Sequence, residues 1–260
     1  MTETAQHSPR RRPARRTAAA LVLAAALVPA GACDLKAGPL PGSTRPAAQN
    51  APADTGSPAP RSGSGTSRIP PGFDETGFQE DLRTAETVTD GFWRKHWTEL
   101  FTGSYSSPRV LGLYNGRDPS SAPRCGRERL GPDNASYCPA GDFVAWDAGL
   151  MRSGYARGDA WVYLVIAHEW GHAVQNRLRR GLVSSAAELQ ADCLAGATLY
   201  GSSDDGTLRF ESGDEQEMVD TFQVIGDKTP WTKPGDHGSA VQRLRYFSRG
   251  GTGGVRACFR

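Results

Sequence analysis

Apolar residues along this chain gather in a few periodic runs. Phe78, Leu82, Ala85, Val88 and Phe92 recur at steps of three and four, one face of a helix. Gly91 is expected to break or bend that helix, with Trp93, Trp97, Leu100 and Phe101 continuing as a second short one. Val110–Tyr114 reads as a strand ended by Asn115-Gly116, and Phe143–Trp146 as another. Trp161, Val162, Leu164, Val165, Ile166 and Ala167 are apolar nearly all the way round a helix, the mark of a buried one. Asp159 is its expected N-cap, and Gly181, after Arg180, its expected stop. Ser184 or Ser185 would then cap a second helix folded back antiparallel. Ser212-Gly213-Asp214-Glu215 has capping-box spacing and opens a helix to Ile225, stopped at Gly226. A loop over 227–238 leads to a last helix, Ser239–Phe247, with Val241, Leu244 and Phe247 on one face. The result is an α+β chain, mainly helical, with a small sheet.

Composition divides the chain into three parts. Residues 1–33 join five arginines, an Ala/Leu-rich run from Ala18 to Val28, and Ala30-Gly31-Ala32 before Cys33, the layout of an export signal. That run is shorter than the ~20 residues a spanning helix needs. Cys33 follows small residues as in a lipobox, with Ala30 where leucine is usual, so a lipid anchor to the outer face of a bacterial membrane stands beside plain secretion. Residues 34–71, rich in Pro, Gly, Ser and Ala and without aromatics, read as a flexible linker. Residues 72–260 are enough for one domain with its own core.

The chain has 30 Lys and Arg against 28 Asp and Glu. Five of the arginines and one glutamate fall before residue 34, leaving 25 basic against 27 acidic, with no basic stripe to bind nucleic acid. Of five cysteines, removing Cys33 leaves Cys125, Cys138, Cys193 and Cys258. Four cysteines allow three pairings, and local spacing favours 125–138 and 193–258. A monomer is expected.

The chemistry lies in one stretch. His168, Glu169 and His172 spell HEWGH, an H-E-x-x-H pattern inside the apolar helix. Residues four apart share a helix face, so both imidazoles point the same way and can hold one Zn²⁺, with the glutamate between them as base. Polar groups in so apolar a helix need partners, because unpaired they cost several kcal/mol. From His172 to Arg180 the helix would rise about 12 Å. On an antiparallel second helix Glu188 then falls about one turn short of His172, and Asp192 near the level of the histidines. His168, His172 and Glu188 are therefore the expected ligands, with water in the fourth position. Asp192 would accept the outer N–H of one ligand histidine. Gly and His are missing where a metzincin would need them, at Gln175 and Leu178.

HEWGHAVQ followed by AELQADCLAG resembles the putative neutral zinc metallopeptidase family, of the gluzincin type. The likeness extends over about Phe78 to Cys258, through SYSSPRVLGLY, the Cys125–Cys138 segment, IGDK and HGSAVQRLRYF. It implies a zincin-like domain with an antiparallel zinc-binding helix pair, the ligand set above, Asp192 on His168, and Glu169 as base. It also implies that the strand Phe143–Trp146 runs along the cleft and pairs with an extended peptide; from residues alone that strand is equally an ordinary core strand. The implied activity is a zinc-dependent endopeptidase acting on peptides or proteins. A peptidoglycan amidase and a catalytically silent zinc-stabilised binding module are the alternatives. His237 could donate to the tetrahedral oxyanion or only cap its loop. Tyr155 and Tyr200 are weaker candidates for that role, and His96, beside Lys95, is expected to be solvated rather than a ligand.

Overall fold

The computed structural model describes residues 72–226 and 237–259. The expected export signal with Cys33, the linker, and loop residues 227–236 lie outside the described residues. Asp74 accepts the Gly77 N–H at 2.9 Å and starts α1 (Glu75–Leu100). Contrary to expectation, α1 runs through Gly91 without a break. Gly91 is exposed with nothing near its missing Cβ. Such a glycine costs a helix about 1 kcal/mol, less than the helix gains by burying Phe78, Leu82, Ala85, Phe92, Trp93 and Trp97. His96, also contrary to expectation, is mostly buried. It sits between Glu99 (3.0 Å) and Asp205 (2.7 Å).

The chain then forms β1 (Arg109–Tyr114), a two-residue ladder of β2 (Arg124–Cys125) and β3 (Glu128–Arg129), β4 (Ala135–Cys138) and β5 (Phe143–Asp147). The three-stranded sheet has the order β1-β5-β4, β5 being parallel to β1 and antiparallel to β4. Gly112, at φ +74°, forms a bulge where the β1–β5 register slips by one residue. The strand expected to receive a peptide is β5, and it cannot: both its edges are paired and all five residues are buried. Among the described residues, the free edge beside the site belongs to β4.

Asp147 ends β5 and caps α2 (Ala148–Tyr155), accepting the Leu150 N–H at 3.0 Å. This two-turn helix is too short to show a period in sequence. The buried helix is α3 (Ala160–Arg177), followed by α4 (Ala187–Asp204), α5 (Asp214–Ile225) and α6 (Ala240–Gly253). Several expected ends are corrected. Asp159 holds the N-cap position of α3 without a side-chain cap. The helix stops at Arg177, three residues early, where the guanidinium turns back to the Ala173 carbonyl and out to Asp142. Residues 180–182 make one 3₁₀ turn, and Gly181 is not left-handed. Neither Ser184 nor Ser185 caps α4; Ala186 holds that place, with Ser184 Oγ accepting its N–H. Ser212 does not cap α5, which starts from Gly213 with three acids in its first turn instead. Ser239 and Gln242 do form a capping box on α6, but the helix runs to Gly253 and Val241 is 76% exposed. Its inward face is Arg243, Phe247 and Gly250.

The disulfides Cys125–Cys138 and Cys193–Cys258 are formed, the second pinning the 3₁₀ tail Val255–Phe259 to α4. Helices α4 and α6 meet through glycines. A Cβ on Gly196 would stand 2.1 Å from the Phe247 oxygen, and one on Gly250 1.8 Å from the Cys193 oxygen. No helix among the described residues is long and apolar enough to cross a membrane.

Two glycine substitutions should therefore move stability in opposite directions. Gly250→Ala should lower unfolding free energy by about 1–3 kcal/mol in urea denaturation, whereas Gly91→Ala should raise it by about 1 kcal/mol.

Candidate metal centre

The metal-ligating groups meet because α3 and α4 pack closely. Gly171, inside HEWGH, faces Ala191; a Cβ there would stand 2.9 Å from the Ala191 oxygen. With the helices this near, Glu188 in the first turn of α4 reaches across to the histidines. His168 Nε2 lies 3.2 Å from His172 Nε2, and the Glu188 oxygens lie 3.3 Å and 3.4 Å from those two nitrogens. One ligand atom from each residue falls within 4.8 Å of the others.

The outer ring nitrogens decide what the inner ones can do. His168 Nδ1 faces the Asp192 carboxylate at 2.8 Å, the partner expected from the sequence. His172 Nδ1 faces Gln175 Oε1 at 2.9 Å. Gln175 Oε1 is an acceptor, and at His168 the Asp192 oxygen lies nearer Nδ1 than the donor Arg243 Nη2 at 3.3 Å, so both rings favour a proton on Nδ1 and turn Nε2 toward one point. Glu188 Oε2 is buried, with His168 Nε2 at 3.3 Å and His237 Nε2 at 3.5 Å as its polar neighbours among the described residues. Two ring nitrogens and a carboxylate facing one point repel unless a proton or a metal cation stands between them. The donor set, two histidines and a glutamate with a fourth side open to a cleft, fits zinc.

The electrostatics have the same sense. Burial alone would depress His168, but Asp192 and Glu188 outweigh it and raise its pKa to about 10. Burial also opposes the upward shift of His172, which Glu188 drives. Burial would raise the Glu188 carboxyl, yet the two histidines hold it well below the usual carboxylate range. For His237, burial dominates and lowers the pKa despite the nearby Glu188. The centre favours positive charge between its ligands and a neutral imidazole at its rim.

A cleft runs past this centre, lined by His168, Glu169, His172, Glu188, Tyr137 and His237. One Glu169 oxygen is held by the Tyr137 backbone N–H at 2.8 Å. His237 Nε2 lies 3.5 Å from Glu188 Oε2, so the loop histidine is at the centre. Tyr155 and Tyr200 are not: their hydroxyls donate to Asp81 (3.0 Å) and Glu215 (3.2 Å), away from the cleft.

Residues 179–259 match the model of the putative neutral zinc metallopeptidase family. That span carries Glu188, Asp192 and His237, and stops short of HEWGH. The uncharacterized protein YpfJ of Escherichia coli is 31% identical over 224 residues, covering 75% of this chain and 74% of its own length. The chain belongs to the putative neutral zinc metallopeptidase family. Two more relatives, the uncharacterized proteins Rv2575 of Mycobacterium tuberculosis and Mb2605 of Mycobacterium bovis, are each 30% identical over 189 residues, covering 59% of this chain and 61% of theirs. No solved structure matches the chain.

In this member of the family, sequence reasoning missed Arg243, Gln175, Gln190 and the Tyr137 N–H. Arg243 is 3% exposed and reaches from α6 to grip Asp192 through two bonds of 2.9 Å and 2.8 Å. A third bond goes to the Ile225 carbonyl at 3.1 Å. Its pKa rises above the usual guanidinium value; burial opposes the shift and Asp192 drives it. The motif HGSAVQRLRYF contains Arg243, but nothing in it separates a buried arginine from the exposed ones beside it.

Breaking this buried pair should cost about 3–5 kcal/mol. Arg243→Met strands the Asp192 charge and should lower the denaturation midpoint steeply. The double variant D192N/R243M, with no buried charge left at that point, should recover part of the loss.

Proposed function

We propose that the chain is a zinc-dependent endopeptidase, with Zn²⁺ held by His168, His172 and Glu188. The observation that carries this is the convergence of two Nε2 atoms and the Glu188 carboxylate beside Glu169. When bound, zinc would polarise a scissile carbonyl and acidify a water. Glu169 takes the proton and passes it to the leaving amine. The Tyr137 N–H occupies one of its oxygens and so sets the direction of the other. His237 is placed to donate to the oxyanion.

The free edge of β4 is the proposed substrate rail. Tyr137 N–H points away from β5, and by strand alternation Ala135 shows its backbone groups on the same side. An extended peptide can add there. Beyond His168 and Glu169, a cavity lined by Leu150, Trp161, Val165, Ile225 and Arg243 opens from the same cleft. Arg243 is neutralised by Asp192, so the cavity suits an aliphatic side chain rather than an acidic one.

The arginine-rich leader and linker support an exported location, tethered through Cys33 or secreted. The two disulfides agree with an oxidising compartment.

Chelation should remove activity on peptides and one equivalent of zinc should restore it. Glu169→Gln should lower kcat by about 10²–10⁴-fold while keeping zinc. Full activity in that variant with zinc bound refutes the base assignment. A zinc-loaded chain that cuts peptidoglycan fragments but no peptide is the amidase, and one that cuts neither is a binding module.

A peptide library digested by the wild-type chain should show cleavage next to aliphatic side chains, favoured over charged ones by roughly 10-fold or more in kcat/KM. Equal cleavage beside aspartate would remove the cavity from the specificity argument.

A further inference from the structure

We propose that Gln175 and Gln190 form a buried amide relay that holds His172 in its metal-ready tautomer and couples metal affinity to the Cys193–Cys258 disulfide. The metal half of this rests on zinc being held by His168, His172 and Glu188. The relay itself stands on hydrogen bonds alone.

Gln190 is 2% exposed and Gln175 7%. Gln190 Oε1 accepts from Ser184 N at 2.9 Å and from Gln175 Nε2 at 3.2 Å. Gln190 Nε2 donates to the carbonyls of Leu182 (2.8 Å) and Cys258 (3.2 Å). All four of its hydrogen-bonding positions are filled, and only one orientation fills them. Turned over, its nitrogen would face the Ser184 N–H and its oxygen two carbonyls. Gln175 is fixed in turn. Its Nε2 donates to the Ala187 carbonyl at 2.7 Å and to Gln190 Oε1, which leaves Oε1 facing His172 Nδ1 at 2.9 Å. An acceptor there keeps the proton on Nδ1 and the lone pair on Nε2, aimed at His168 and Glu188. His168 has a charged carboxylate for this task. His172 has a neutral amide, whose direction depends on its own neighbours.

The outer end of the relay is the Cys258 carbonyl. Cys258 belongs to the short 3₁₀ tail and is tied to Cys193, three residues after Gln190 on α4. The disulfide therefore holds in place an acceptor that orients Gln190. Opening it releases the tail, frees the Gln190 amide to turn, and passes that freedom through Gln175 to His172. Gln175 and Gln190 are positioning residues: they act on the metal only through His172.

The test measures zinc affinity of the full chain by competition with a chromophoric chelator. Gln175→Met should weaken zinc by about 10–100-fold, and Gln190→Met by a smaller factor. The pair C193S/C258S should weaken zinc by about threefold or more in the wild-type background and add nothing once Gln190→Met is present. C125S/C138S, which touches no member of the relay, should leave the zinc dissociation constant unchanged. Should C193S/C258S fail to fold, Gln190→Glu removes both donors toward Leu182 and Cys258 while keeping the acceptor that holds Gln175, and should weaken zinc less than Gln190→Met does; no loss at all overturns the link to the tail. Nitrogen-15 NMR of the zinc-free chain, at a pH high enough for His172 to be neutral, should show His172 as the Nδ1–H tautomer, and a mixture in Gln175→Met, a change that mere loss of packing does not produce. Unchanged affinity in both methionine variants, or strictly additive losses with C193S/C258S, overturns the coupling. An Nε2–H tautomer for His172 in the zinc-free wild type overturns the relay. A wild-type chain that binds no zinc but shows the Nδ1–H tautomer sinks the metal assignment and leaves the relay standing.

Discussion

Two imidazole nitrogens 3.2 Å apart, each with its proton drawn to the far side of the ring, cannot satisfy one another. A carboxylate at 3.3 Å and 3.4 Å adds negative charge to the same point. Only positive charge at their common focus reconciles them, and the rest of the structure is arranged to keep that focus in place. Gly171 lets α4 approach α3. Gly196 and Gly250 let α6 approach α4. Without the second approach, Arg243 could not reach Asp192, and the carboxylate that aims His168 would be a lone charge in the core. Three helices are thus drawn together by contacts that each require the absence of a side chain.

The balance of charge follows from burial. Glu169, Glu188 and Asp192 bring three carboxylates near one point, and Asp192 is completely buried. Burying such a charge alone would cost several kcal/mol. Arg243 meets it with two parallel bonds, the geometry in which a guanidinium binds a carboxylate best. This separates two jobs that a carboxylate on a metal histidine otherwise mixes. Asp192 is neutralised by Arg243, yet still accepts the His168 proton, while Glu188 keeps its charge for the cation. His172 is served by a neutral amide, so no fourth carboxylate is buried there.

What could be read from the sequence was whatever a period or a count determines. The two histidines share a face because they are four apart; the rise brought Asp192 level with them but left Glu188 about a turn short, with α3 ending at Arg177 rather than Arg180. Local spacing favoured the two cysteine pairs that form, out of three possible arrangements. Local signals worth about 1 kcal/mol were poor guides to helix ends, because burial outweighs them. Gly91 did not break α1, Gly181 did not stop α3, and Ser212 did not cap α5. Buried polar partners were invisible for a different reason. Arg243 sits among exposed arginines, and Gln175 and Gln190 are glutamines in a motif read for its charges. The Tyr137 N–H is backbone, and no side-chain pattern reports it.

The misplaced rail is the most instructive error. The alternation of a strand shows which residues are buried but not which edge is free. β5 is buried throughout because it lies in the middle of the sheet, and a middle strand has no edge to offer. β4 is only four residues long and partly polar, the usual character of an edge. In the proposed peptidase its shortness has a consequence. One of its outward N–H groups is already given to Glu169, so the strand that would align a substrate is the same strand that aims the base. The Cys125–Cys138 disulfide closes the end of that strand next to Tyr137. The Tyr137 N–H thus ties the Glu169 carboxylate to the strand that would carry the substrate.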